Sequence, residues 1–157
     1  MRREILVYPD RFLARKAVPV TAVDDRIRAL IRDMFETMYA AEGIGLAATQ
    51  VGVGKRVVVL DISPVDETVA PMSVVNPEIV SRSGSVTGVE GCLSVPGVQG
   101  EVCRAETVEV RGLDEQGKPL RIRAAGILSR ALQHEIDHLD GILFIERASS
   151  SAAASAK

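Results

Sequence analysis

Apolar residues recur at three- and four-residue spacing between residues 22 and 41, where Ile27, Leu30, Ile31, Met34 and Met38 share one face of a predicted helix. Thr21 with Asp24 provides a capping-box-like start, and Gly43 a natural stop. The β-branched run Arg56–Ile62 has strand length. Val74–Pro77 and Ile79–Val80 predict a further strand, which Pro77 restricts to an edge or a bulge. Thr107–Arg111 and Leu120–Arg123 alternate on either side of Asp114-Glu115-Gln116-Gly117, the pattern of a hairpin with a glycine-containing turn. A second helix is predicted from Ile127 to Leu139, with Gly141 just past its end. Helix, several short strands, then helix is an α+β order. The expected fold is mostly antiparallel short strands packed around the helix of the C-terminal half, plus one N-terminal amphipathic helix.

Composition narrows the class. The chain has 157 residues, 46% of them hydrophobic and 25% charged, which suits one soluble globular domain and excludes wholesale disorder. Aromatic residues make up 3% and tryptophan is absent, so the core must be aliphatic. A net charge of −2 lacks the basic excess of a dedicated nucleic-acid binder, and no direct nucleic-acid contact is expected. The arginines of the hairpin, Arg111, Arg121 and Arg123, read as a solvated face. No apolar run is long enough to span a membrane. The opening residues hold too few apolar positions before Pro9 for a secretory signal. Two cysteines, Cys92 and Cys103, describe no disulfide scaffold, and a reduced, cytoplasmic setting is expected. Residues 1–147 are expected to form a single domain, with 148–157 a disordered Ser/Ala tail.

The chemistry concentrates at His134-Glu135-Ile136-Asp137-His138, inside the second helix. Positions four apart lie about 40° apart around a helix of 3.6 residues per turn, so both imidazoles leave one face and can hold a divalent metal from one side. The chain has two histidines in all, and both are here. Glu135, beside the first of them, can reach a water on such a metal, the position of a general base. Two imidazoles leave a catalytic site one protein ligand short. Asp140 faces elsewhere on the helix, and Glu146 is compatible by spacing. Cys92, in the glycine-containing turn Glu90-Gly91-Cys92-Leu93-Ser94, offers a thiolate, a donor suited to iron, zinc or cobalt.

Glu90–Ser94 together with Gln133–Leu139 resembles the peptide deformylase family. Gly43-Ile44-Gly45-Leu46-Ala47-Ala48-Thr49-Gln50 matches that family's first motif, so three motifs stand in the right order. The resemblance implies removal of the formyl group from the N-terminal formyl-methionine of nascent polypeptides, with release of formate. It implies Cys92, His134 and His138 as ligands of one divalent metal ion per chain. Fe2+ is favoured, with Zn2+, Ni2+ or Co2+ able to take the same site. It makes Glu135 the general base. Gln50 and the backbone N–H of Leu93 become donors to the developing oxyanion. Gly43 and Gly45 would let an extended peptide approach, with Ile44 and Ile127, and the stems near Arg130 and Ala131, around the methionine side chain. An ion pair of Glu90 with Arg104 is implied behind the cysteine loop, with Cys103 a bystander. Work close to the ribosome is implied too, although no C-terminal docking helix is evident after His138.

Three other readings compete. Gly43–Ala48 also matches G-x-G-x-x-A, but a dinucleotide site needs a strand before the glycines and a helix after them, and here a helix precedes them. A different HExxH metallopeptidase would cleave internal bonds. A catalytically silent metal-binding module recognising peptide N-termini would be expected to lack Glu135, Gln50 or a ligand, and all are present.

Overall fold

A computed structural model describes residues 1–148; the Ser/Ala stretch expected as a tail lies outside the described residues from 149 onward. Two α-helices and seven strands follow in the order α1 (Asp25–Ala40), β1 (Gly45–Ala47), β2 (Val57–Leu60), β3 (Met72–Ser83), β4 (Val86–Cys92), β5 (Val95–Arg104), β6 (Thr107–Leu113), β7 (Pro119–Ala125), α2 (Gly126–Leu139). Short 3-10 turns occupy Arg11–Ala14, Ala48–Val51 and Phe144–Glu146. The strands form a five-stranded antiparallel sheet, β1-β2-β3-β6-β7, and a separate hairpin of β4 with β5. The α+β class and the mostly antiparallel strands are as the sequence predicts.

The sheet lies between the two helices. Val57 and Val59 of β2 pack with Ile31, Met34 and Met38 of α1, while Val58 and Leu60 pack with Leu132, Ile136 and Leu139 of α2. Burial on both faces explains why β2 is a continuous apolar run rather than an alternating one. A third cluster, Leu13, Val95, Val102, Leu143 and Phe144, seats the hairpin on the 3-10 turns near both chain ends.

Local structure departs from expectation at three places. The start of α1 is set by Asp24, whose carboxylate accepts from the N–H of Ile27 at 3.1 Å, so the helix begins at Asp25 rather than at 22. Its end is made by Glu42, in left-handed conformation at φ 58°, ahead of Gly43. The N–H of Glu42 reaches Tyr39 O and that of Gly43 reaches Met38 O, the paired closure of a Schellman motif. As predicted, the segments around Pro77 form one strand, β3, with register shifts between Val75 and Glu78 and between Ile79 and Ser81. Pro77 therefore sits at a bulge inside the sheet, where no ladder N–H is required of it. Lastly, β1 and the β4–β5 hairpin carry too little alternation to be read as strands. At the other end, α2 closes as predicted, with Gly141 at φ 76° and Ile142 N–H on Asp137 O. Arg56 donates to the freed carbonyl of Leu139 at 3.0 Å, and Thr49 Oγ1 donates to that of His138 at 3.2 Å.

Candidate active site

Three elements converge on one open cavity of about 880 Å³: the segment Glu42–Gln50, the β4–β5 hairpin, and the inner face of α2. Its wall includes Gly43, Ile44, Gly45 and Gln50 from the first, Cys92 and Leu93 from the second, and Ile127, His134 and Glu135 from the third. His138, 1% exposed, lies behind that wall.

A cluster of donors stands at the centre. One atom each of Cys92, His134 and His138 lies within 4.8 Å of the others, and His138 Nε2 is 3.3 Å from Cys92 Sγ. Asp140 instead pairs with Arg56, and Glu146 accepts from the N–H of Leu143, so neither acidic candidate for a third ligand joins the cluster. Cys103 is exposed and apart from it.

The surroundings fit a cation. Among the described residues, two buried side-chain polar atoms find no hydrogen-bond partner, Glu135 Oε1 and His138 Nδ1, and both are here. Burial pushes the Glu135 carboxyl up to about 7, helped by the charges of Glu90 and Asp137 and opposed by His134 and Arg104. For His134, burial lowers the pKa, but Cys92 and the carboxylates of Glu135 and Glu90 outweigh it and raise the imidazole to about 10. Burial, with the charges of His134 and Arg104, holds His138 well below its usual value and so neutral. A neutral imidazole, a thiol and an imidazole ringed by anionic partners make a site where a divalent ion would satisfy donors that the protein leaves open.

A buried ion network orients this cluster. His134 Nδ1 is 2.9 Å from Glu90 Oε1, which leaves its Nε2 for the cavity side. Glu90 accepts from Arg104 at 2.5 and 2.9 Å and from Arg130 at 2.6 Å. Burial raises the Glu90 carboxyl, yet its hydrogen bonds with His134 and Arg104 bring it down to about 2. Arg104 also reaches Asp137, which binds Arg147 at 2.6 and 2.9 Å. The Glu90–Arg104 pair is thus present and buried. The parts played by Arg130, Asp137 and Arg147 escape a sequence reading, because their partners lie ten to forty residues away along the chain.

Gln50, 1% exposed, is held at both ends. Its Oε1 accepts from Ala47 N–H at 2.9 Å, and its Nε2 lies 3.0 Å from Ser94 Oγ and 3.6 Å from Cys92 Sγ. The amide hydrogens therefore face the donor cluster. The glycines of the first motif are there for packing. A Cβ at Gly43 would stand 2.7 Å from Leu93 Cδ1, and one at Gly45 would meet the Glu135 carboxylate.

Residues 2–154 match the family model described as polypeptide deformylase. This chain belongs to that family. It is similar to the peptide deformylase of Alkalilimnicola ehrlichii, with 54% identity over 143 residues that make up 91% of this chain and 80% of the relative. The Neisseria meningitidis peptide deformylase is 53% identical over 92% of this chain and 86% of its own. Among solved structures, that of a Legionella pneumophila peptide deformylase superposes with a TM-score of 0.93 at 47% identity, covering 99% of this chain and 91% of that one. A Synechococcus elongatus peptide deformylase in complex with actinonin superposes with a TM-score of 0.91 at 43% identity, over 98% and 86% of the two chains. The chain is accordingly a metal-dependent hydrolase, a deformylase that takes the formyl group from nascent polypeptides.

Proposed function

We propose that Cys92 Sγ and the imidazoles of His134 and His138 hold one divalent ion in this deformylase, with Fe2+ the native metal and Zn2+, Ni2+ or Co2+ able to take the same donors. One thiolate with two imidazoles suits each of these ions and disfavours magnesium or calcium. When bound, the ion supplies Lewis acidity and brings the pKa of water down toward neutrality. Glu135 accepts the proton of the attacking water and passes it to the peptide nitrogen as the C–N bond breaks, freeing formate and the amine of methionine. Its free Oε1 and raised pKa support that role, since a base that must also act as an acid works best near the operating pH. Gln50 Nε2 and the N–H of Leu93 donate to the formyl oxygen as it gains charge. Ser94 aims the Gln50 amide, and Glu90 fixes the face that His134 presents. The methionine side chain lies along Ile44 and Ile127, while the peptide runs in extended form past Gly43 and Gly45, where β1 is the edge of its sheet.

Residues 1–147 act as one catalytic domain in this reading, in the cytoplasm and close to the ribosome. The two free cysteines suit a reducing compartment. Among the described residues no helix is long and apolar enough to cross a membrane. Arg111, Arg121 and Arg123 are paired with Glu78 and Glu109, so the hairpin face is not an unbalanced basic patch for nucleic acid. The observation that carries the reading is the convergence of Cys92, His134 and His138 beside the unpartnered Glu135 carboxylate.

The test is formate release from formyl-Met-Ala-Ser by anaerobically purified protein, with metal analysis of wild type and Glu135→Gln. Glu135→Gln is expected to keep its metal and lose about 10²–10⁴-fold in kcat. A fully metallated Glu135→Gln with wild-type turnover would remove Glu135 from the mechanism. Wild type that binds no iron, zinc, nickel or cobalt would remove the ligand assignment.

A further inference from the structure

Arg130 stands one helical turn before His134 on α2 and lines the same cavity. Its guanidinium is only partly committed. Nη1 donates to Glu90 Oε2 at 2.6 Å and to the Val102 carbonyl at 2.9 Å, and Nη2 donates to the Val86 carbonyl at 2.7 Å. Among the described residues nothing accepts from Nε, nor from the second Nη2 hydrogen, and Nε is not one of the sealed-off polar atoms. The arginine fork therefore keeps one edge open.

The facing strand leaves space for that edge. A Cβ at Gly88 would lie 3.2, 3.2 and 3.3 Å from Cζ, Nη2 and Nε, so any side chain at 88 would press on the free half of the guanidinium. Charge points the same way. Arg104, Arg130 and Arg147 share the two carboxylates of Glu90 and Asp137, and of these three cations Arg130 is the one on the cavity wall. Beside it the wall carries the aliphatic Ile44, Ile127 and Ala131, while the nearby Glu90 carboxylate is already engaged by Arg104, Arg130 and His134.

We propose that Arg130 is a specificity-determining residue of this deformylase, whose open N–H edge donates to the thioether sulfur of the substrate's first side chain. The inference rests on the reading above that this side chain lies along Ile44 and Ile127. A purely aliphatic wall would favour the hydrocarbon isostere norleucine, because the thioether is the more polar of the two. A charged donor aimed at the sulfur reverses that order. Thioether sulfur is a weak acceptor, so the reversal is modest, about three- to tenfold in kcat/KM.

The experiment compares formyl-Met-Ala-Ser, formyl-norleucyl-Ala-Ser and formyl-Ala-Ala-Ser with metal-loaded wild type, Arg130→Met and Arg130→Lys. The expected result is a preference of about fivefold for methionine over norleucine in wild type. In Arg130→Met the ratio falls to about one or below, whatever the change in absolute rate. Arg130→Lys, which keeps a cation beside Glu90, should hold an intermediate ratio and carries the comparison if Arg130→Met does not fold. Loss of the Glu90 contact alone lowers turnover of both peptides together and leaves the ratio unmoved. Equal use of methionine and norleucine by wild type would overturn the proposal, as would a preference that survives undiminished in metal-loaded Arg130→Met. If the alanyl peptide is used as well as the methionyl one, the wall does not hold the first side chain, and the underlying reading falls together with the role of Arg130.

Discussion

A Cβ at residue 45 would come 2.5 Å from Glu135 Oε2 and 3.1 Å from its Cγ and Cδ. Glycine at this position is what allows β1 and α2 to close on each other with a carboxylate between them. Gly45→Ala should therefore displace Glu135 rather than merely crowd a peptide. With Glu135 as the base proposed above, formate release is expected to drop by about 10²-fold or more, since a small misplacement of a reacting group is costly. Urea unfolding should show about 1–3 kcal/mol of lost stability from overpacking. Full activity in this variant would mean the carboxylate is free to take another position. A second residue-scale case is Tyr39, whose hydroxyl donates to Asp61 Oδ2 at 2.6 Å. Burial of the phenol and that hydrogen bond push its pKa up to about 12 from 10, while the same bond, with those from Ser63, lowers Asp61. The neutral phenol is favoured in the folded state, so its contribution is complete below pH 10 and is lost as pH rises through about 12. The Asp61 contribution runs the other way, present above the ordinary aspartate range and lost as pH falls through the lowered folded value. The chain has two tyrosines and no tryptophan, so a spectrophotometric titration can follow the phenol directly. Its phase near pH 12 should vanish in Tyr39→Phe.

At the scale of elements, α1 ends on Glu42 in a left-handed conformation that side chains other than glycine adopt at a cost of about 1–2 kcal/mol. Part of that gain is returned through the greater freedom of glycine in the unfolded chain, so Glu42→Gly should stabilise the protein by about 0.5–1 kcal/mol. A shift of the urea midpoint to higher concentration, at unchanged slope, is the check. The sequence pattern placed the stop at Gly43, one residue late, because a helix end is read from the presence of glycine. Here glycine answers to the Leu93 contact instead. The elements that could be read in advance are those whose burial follows a period: α1, α2, β2, and the β6–β7 hairpin. β4 reads Val-Thr-Gly-Val-Glu-Gly-Cys, and its Gly88 and buried Glu90 serve Arg130 and His134 across the interface, so no two-residue alternation survives. His134, His138 and Glu135 were legible because they share one helical segment and the two histidines are the chain's full complement, whereas Cys92 joined them as the proposed third ligand through the family resemblance. Their support by Arg104, Arg130, Asp137 and Arg147 was not, since pairing over long separations leaves no local trace apart from the Glu90–Arg104 pair that the family resemblance implied.

For the molecule as a whole, Cys92 belongs to the β4–β5 hairpin, and both histidines belong to α2, whose packing is with the larger sheet. On the ligand assignment proposed above, an ion shared by these donors would tie two separately hydrogen-bonded sheets together. Metal binds the folded state alone when its ligands are brought together only by folding. Free ion at a thousand times its Kd then adds about 4 kcal/mol. Removing the metal under anaerobic conditions should lower Tm by several degrees. Amide exchange should rise in β4 and β5 well before it rises in β2, which is buried between the helices. Equal loss of protection across both sheets would show that the ion stabilises the fold globally rather than holding the hairpin in place.

The order of the parts along the chain also sets when this enzyme begins to work. Cys92 is synthesised forty-two residues ahead of His134, and every strand of both sheets precedes α2. While the polypeptide emerges, the hairpin and the sheet can form, but the thiol has no imidazole to meet and β2 has only one of its two covering helices. Core and reaction centre are completed by the same late event, the docking of α2. A deformylase whose substrates are growing chains is thus inert for most of its own growth.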